Sequence, residues 1–275
     1  MTICIVGICD SKNGIAKSAI AIADRMITAG DTEFEQTAFS KIDKLTENCV
    51  AVSAGSALAH IELFNITRKK FTGTPQPPIT EIIQELKDNY VRLRTIRAEE
   101  QYFKPLGLSV SDFVKNQRSL DSTLVLRLSR QLEDASYGGH AGLSIVIAGV
   151  DTTGGHIHYV YDPGSSECFD AIGYCSIGSG ERHADTTLIV NDYNIALPIK
   201  KALYLMYEAK KRAERAPGVG RTYTDINIVS DSGIQKLTNL QIQELQKVYD
   251  KYNEVEKTCR KATEELIEKL SFEKG

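Results

Sequence analysis

The sequence predicts an α+β protein in which two sheets lie between helical layers. Three observations carry that reading. Apolar strand pairs come first in the chain. Two amphipathic helices then interrupt them, and strands followed by two helices return before a last strand and a helical tail. Strand pairs that feed separate helical groups do not fit a strict strand–helix alternation.

The first strand is Ile3 to Cys9, apolar and rich in β-branched residues, and Asn13-Gly14 is a hairpin turn signal. The return strand ends at Asp24. A further pair lies in KIDKLTENCVAVSAGS, with Glu47-Asn48 as its turn. Runs this continuously apolar belong to sheets covered on both faces. Helical spacing starts at Ser56, with Leu58, Ile61, Leu63, Phe64 and Phe71 on the apolar side, and ends at Gly73. After the linker TPQPP, Ile82, Ile83, Leu86, Tyr90, Leu93 and Ile96 predict a long helix from Ile79 to about Glu100. Another helix is expected over Thr123 to Leu132.

The loop SYGGHAG leads into the strand LSIVIAGVD. A turn is expected at Gly154-Gly155, with HIHYVYD returning and a short strand near Phe169 to Gly173. A Gly-Ser-Gly corner at 178–180 opens a helix. Pro198 suits the first turn of the next helix, which runs to Arg215. TDINIVS is a strand, and Leu240 to Leu270 repeats apolar residues every three or four positions, as in a long amphipathic helix or coiled-coil seam.

Composition removes several classes of function. The 275 residues are 42% hydrophobic and 25% charged, with a net charge of 33 − 36 = −3. Disorder does not fit these values, and no basic excess invites nucleic acid. No run is long enough to span a bilayer, and the N-terminus lacks the pattern of a secretory signal. The six cysteines form no CxxC pair and read as buried thiols of a reducing compartment, so a cytoplasmic protein is expected. His156 and His158 share a strand face, but no third ligand accompanies them. No metal and no cofactor are therefore expected. The KKRAER cluster at 210–215 reads as a solvated face near a helix C-terminus, where cations suit the macrodipole.

The residues able to carry chemistry gather around Thr2. If Met1 is removed, the mature chain begins with a threonine, which carries a hydroxyl nucleophile and an α-amine base on one residue. The free amine has a reference pKa of about 7.7–8.0, suited to accepting a proton near neutrality. The strand beginning at Ile3 fixes Thr2 at a sheet end, and Asp24 closes the neighbouring strand. Lys41 opens the next strand, where an ammonium favours the alkoxide and a carboxylate orients the lysine. Gly55 lies where strand turns into helix, and its backbone N–H suits an oxyanion donor.

Six segments in order then carry a family resemblance. They are MTICIV at the start, AIADRMITAG at 21–30, SKIDKL at 40–45, AVSAGSALA at 51–59, LSIVIAGVD at 143–151 and SIGSGERHA at 176–184. Together they resemble proteasome β-subunit-type N-terminal-nucleophile hydrolases, over roughly 1–72 and 140–235, and the Lys41-to-Gly55 interval is the one usual there. The resemblance implies Thr2 as nucleophile, Asp24 as the acidic partner of the lysine, Lys41 as the catalytic lysine and Gly55 as the oxyanion glycine. It implies Ser179 as the residue orienting the terminal amine. It also implies a four-layer αββα sandwich, self-association into rings or higher oligomers around a chamber, and a peptide or protein substrate, and it admits an ATPase unfoldase partner.

On this reading residues 1–237 form the hydrolase domain, enlarged by helices at about 75–135, and 238–275 are an added C-terminal helix. The chain departs from the family in two further ways. Its first hairpin is longer than usual. The Asp-x-x-Ser-Gly expected after the helix ending near Arg215 is replaced by RAERAPGVGRTYTD. Asp225, beyond those glycines, is expected to end a loop. The function implied is threonine-type cleavage of peptide or amide bonds. The alternatives are a non-catalytic assembly subunit that retains Met1, or a peptide ligase using the same acyl-enzyme.

Overall fold

A computed structural model describes residues 2–29, 32–56, 58–74, 76–139 and 142–269. The expected loss of Met1 lies outside them, as do Gly30, Ala57, Pro75, His140, Ala141 and Leu270 of the segments discussed above. Six strands come first: β1 (Cys4–Cys9), β2 (Ser18–Asp24), β3 (Met26–Ala29), β4 (Thr32–Glu35), β5 (Ile42–Thr46) and β6 (Cys49–Gly55). Helices α1 (Ala59–Lys70) and α2 (Ile79–Ala98), a π-helical turn at Glu99–Phe103, α3 (Val110–Asn116) and α4 (Ser122–Glu133) follow. Then come β7 (Leu143–Asp151), β8 (Gly154–Tyr161), β9 (Ser165–Cys168), β10 (Tyr174–Ile177), α5 (Glu181–Val190), α6 (Ile199–Ala213), β11 (Thr224–Ser230), β12 (Gly233–Lys236) and α7 (Asn239–Ile267). The architecture is mixed α+β, with seven α-helices and three antiparallel sheets among the described residues.

The first sheet has the order β10-β1-β2-β11-β12 and the second β5-β6-β7-β8-β9. Side chains alternate across the second sheet as the pleat requires. Val50 and Val52 of β6 and Val146, Ala148 and Val150 of β7 share a core with Cys4, Val6, Ala19, Ala21 and Ala23 of the first sheet. Their neighbours Cys49, Ala51, Ile145 and Ile147 point the other way, into a second core with Leu63 and Phe64 of α1 and Ile82, Leu86 and Tyr90 of α2. Helices α5 and α6 pack on β1, β2 and β10. This double coverage explains why every residue of β1 and β2 is buried. Each fully buried aliphatic side chain contributes about 1.5–3 kcal/mol.

The β1–β2 hairpin turns at Asn13-Gly14, with φ of 53° and 80° and a Lys12–Ile15 bridge, the backbone of a type I′ turn. The middle enlargement has its own small core of Phe103, Phe113 and Leu128. Arg94 of α2 donates to the carbonyls of Leu132, Glu133 and Ala135 at 2.6–2.8 Å, satisfying the C-terminal end of α4.

Several elements differ from expectation. The β3–β4 hairpin, β12 and α3 have no counterpart in the sequence reading. α3 is short and announces itself mainly through its capping box, Ser109 with Asp112. Phe169–Gly173 is a turn, not a strand: Gly173 N–H donates to Phe169 O at 2.8 Å, and the chain passes there from the edge of one sheet to the edge of the other. The β7–β8 turn lies at Thr152-Thr153, where the Asp151 carboxylate accepts from Thr153 N at 2.8 Å. Gly154 and Gly155 already belong to β8.

The chain divides into two units, residues 1–236 and 237–275. The second contains α7, 29 residues long, which begins in a capping box between Thr238 and Gln241 and has no buried residue. Among the described residues no helix is long and apolar enough to cross a membrane.

Candidate active site

Antiparallel register sets the first contact. Cys4 pairs with Ala23, so the residues before β1 meet the end of β2. Asp24 N–H donates to Ile3 O, and Ile3 N–H returns a bond to Asp24 Oδ1, both at 3.2 Å. Thr2 Oγ1 donates to the same Oδ1 at 2.6 Å. Lys41 enters from the start of β5 in the other sheet. Its ammonium donates to Asp24 Oδ1 at 2.7 Å and to Thr2 Oγ1. Thr2, Asp24 and Lys41 are 4%, 0% and 5% exposed, so this contact between hydroxyl, ammonium and carboxylate is shielded from water. At low local dielectric such hydrogen bonds are stronger than in solvent.

The corner between β10 and α5 supplies the other side. Thr2 N lies 3.3 Å from Ser179 Oγ, and Gly180 N–H donates to Thr2 O at 3.3 Å. A Cβ on Gly178, whose φ is +104°, would come within 2.3 Å of Thr2 O, so only glycine lets the corner close on the chain start. Gly55 ends β6 opposite Leu143 and lines a small cleft together with Thr2, Lys41, Ser53 and Ser56. The structure therefore brings Thr2, Asp24, Lys41 and Ser179 into one bonded group, with Gly55 on the wall of the same cleft.

The loop lacking Asp-x-x-Ser-Gly contributes backbone instead. Gly220 N–H donates to Asp24 Oδ2 at 2.6 Å, and Ser179 Oγ bonds Pro217 O at 3.2 Å. Glu35 at the end of β4 accepts from Thr222 N and Tyr223 N at 3.0–3.1 Å and so anchors that loop. Asp225 does not end a loop. It lies in β11, buried, with its two oxygens on Arg25 at 2.7 and 2.8 Å and Lys236 at 3.1 Å. Burial pushes the Asp225 carboxyl up, but those two cations outweigh it and hold the group below the usual carboxylate range.

Sequence reasoning missed the other cleft-lining side chains: Met26, Ile27, Thr28, Phe39 and His60. Three of them come from the unexpected β3 strand. His60 is buried in the first turn of α1 between the Phe39 and Phe64 rings. Burial lowers its pKa against the opposing pull of Asp43, keeping the ring neutral at pH 7. Its signal in the sequence is a histidine just after the strand-to-helix corner that holds Gly55. Cys4 also adjoins the site. Burial pushes its thiol up to about 12, and its Sγ lies 3.5 Å from Ser53 O, so it is not a competing nucleophile.

The remaining candidates fall elsewhere. The KKRAER cluster is not a solvated face. Lys210 is fully buried with its ammonium 2.6 Å from Glu214, and Arg212 pairs with buried Glu208. His156 bonds Asp170 and Thr153, each at 2.7 Å, while His158 stands opposite Cys168. A scan against models of protein families and a search of curated proteins returned no match to this chain.

Proposed function

We propose that this chain is a proteasome β-subunit-like hydrolase that cleaves peptide or amide bonds through an N-terminal threonine. On this proposal the two sheets and their helical covers form the family's four-layer αββα sandwich. The single observation carrying the reading is the bonded group of Thr2 Oγ1, Lys41 Nζ and Asp24 Oδ1, with Thr2 N beside Ser179.

Loss of Met1 turns Thr2 N, which lies 3.3 Å from Ser179 Oγ, into the α-amine. The hydroxyl oxygen attacks the substrate carbonyl carbon while its proton passes to the amine. Lys41 lowers the cost of charge on the attacking oxygen, and Asp24 orients the ammonium. The oxyanion develops toward the Gly55 backbone. The amine then protonates the leaving nitrogen, the C–N bond breaks, and an ester on Thr2 remains. Water, deprotonated by the same amine, hydrolyses that ester and regenerates the hydroxyl. Peptide-bearing substrates reach Thr2 through the cleft, and subunits assemble into a ring or chamber.

A second reading, a non-catalytic subunit of such an assembly, draws on the absence of a carboxylate or hydroxyl side chain from Pro217 to Gly220 beside Ser179. The test is Thr2→Ala assayed on peptide amides, with circular dichroism to verify the fold. Turnover is expected to fall by at least about a thousandfold with the fold retained. Turnover at the parent level overturns the hydrolase, and a folded parent with no turnover supports the assembly reading.

A further inference from the structure

The edge of the second sheet farthest from β5 carries a separate constellation. In the β8–β9 register, His158 lies directly opposite Cys168, and Asp170 follows two residues later in the turn toward β10. A ring nitrogen of His158, the thiol of Cys168 and a carboxylate oxygen of Asp170 all lie within 4.8 Å of one another. We propose that these three side chains bind a zinc-type divalent cation, with water in the fourth position.

The donor set selects the class of metal. An imidazole nitrogen, a thiolate and one carboxylate oxygen suit zinc, whereas calcium and magnesium take oxygen ligands almost exclusively. Tetrahedral zinc at about 2.0–2.3 Å from each ligand holds donor atoms roughly 3.3–3.8 Å apart, so the group needs to contract by only ~1 Å. Cys168 is exposed, which gives the ion access and leaves its side chain room to rotate inward.

The surroundings hold the carboxylate in place before any ion arrives. Asp170 Oδ1 accepts from Ile157 N and Oδ2 bonds His156 Nδ1, both at 2.7 Å. His156 is itself fixed at its other nitrogen, 2.7 Å from Thr153 Oγ1 and 3.4 Å from Asp151 Oδ1. Such outer partners commonly orient metal ligands and tune their affinity. On binding, a Zn–S bond forms, the Cys168 S–H bond breaks, and the proton passes to solvent.

The consequence is a clamp on β9, a four-residue edge strand that is otherwise largely exposed. Edge strands are where sheets open and pair wrongly, and a cation bridging β8, β9 and the following turn opposes both. None of the three ligands lines the Thr2 cleft, so the site stands independently of the proposed hydrolase chemistry.

The experiment titrates chelator-treated, reduced full-length protein with Co²⁺ and then displaces it with Zn²⁺. One equivalent of Co²⁺ is expected to give a thiolate-to-cobalt charge-transfer band and tetrahedral d–d bands, which Zn²⁺ bleaches, and Zn²⁺ is expected to raise Tm. Cys168→Ser and His158→Ala are each expected to abolish the band. Cys259→Ser, which removes the other exposed thiol, retains it, and His156→Gln weakens affinity about 10- to 100-fold. Absence of the band from the parent protein, or its persistence in Cys168→Ser or His158→Ala, overturns the proposal.

Discussion

The backbone N–H of Gly220 donates to Oδ2 of Asp24 at 2.6 Å, and no side chain takes its place. The other oxygen of Asp24 faces Thr2, Lys41 and Ile3 N. One buried carboxylate therefore ties the start of β1, the start of β5 and the loop after α6 together. A Cβ at position 220 would lie 2.5 Å from Glu35 Oε1 and 3.0 Å from Asp24 Oδ2. Gly220→Ala is expected to destabilise the protein by about 1–3 kcal/mol, as overpacking does. It is also expected to lower kcat more than it raises KM. Urea melts and steady-state peptide hydrolysis check both, and an unchanged melt with unchanged kcat contradicts this role.

The Arg25–Asp225 pair gives a pH-dependent prediction. Because Asp225 is held below its ordinary value, the pair's contribution is fully present above the unfolded pKa of about 3.9. It is lost as pH falls through the still lower folded value. Asp225→Asn is expected to cost about 3 kcal/mol at pH 7, since it leaves the Arg25 charge without its partner. The gap between parent and variant closes as pH drops below 4. Denaturation midpoints across that range measure it, and a gap independent of pH contradicts the assignment.

Lys210 offers a contrast between two ways of breaking one ion pair. Burial lowers its pKa, with Glu214 opposing. Lys210→Met keeps most of the volume and leaves Glu214 paired with Lys211 at 2.7 Å, so its cost is expected to stay below about 1 kcal/mol. Glu214→Gln strands a buried ammonium and is expected to cost more. Thermal melts of the two variants decide the order.

Thiol labelling checks the burial pattern. Cys4, Cys9, Cys49 and Cys175 are buried, and Cys168 and Cys259 are exposed. Native protein freed of metal and treated with iodoacetamide at pH 8 is expected to gain two adducts rapidly, with Cys4 protected by burial and its raised pKa. Peptide mapping that finds Cys4 among the fast sites contradicts the placement beside Thr2.

The long periodic segments were legible because burial imposes their period. β1, β2, β6 and β7 read as apolar runs, α1 and α2 as amphipathic stripes, and α6 was placed by Pro198 at its start. Thr2, Asp24 and Gly55 stood out because each lies at an end of such a run, where register fixes its neighbours, and Lys41 because it lies in SKIDKL at the family's usual interval from Gly55. What escaped depends on tertiary contact. The residues of β3 and β4 carry no long apolar signal, and their hairpin is braced through Glu35 to a loop some 190 residues away. The Gly220 bond is made by backbone, which no residue type announces. Lys210 reads as a surface cation until Glu214 is seen beside it. Cys168 and Asp170 joined His158 only through a β8–β9 register that the misread turn at Phe169–Gly173 concealed.

The central claim requires that the nitrogen now beside Ser179 be a free amine. Intact-mass spectrometry of the purified protein, before and after a reagent that closes a ring only with both the hydroxyl and the amine of an N-terminal threonine, tests it most directly. The account predicts a mass lower than the full chain by one methionine residue, then a single adduct that Thr2→Ala does not form. A protein that retains Met1 and takes up no adduct contradicts it.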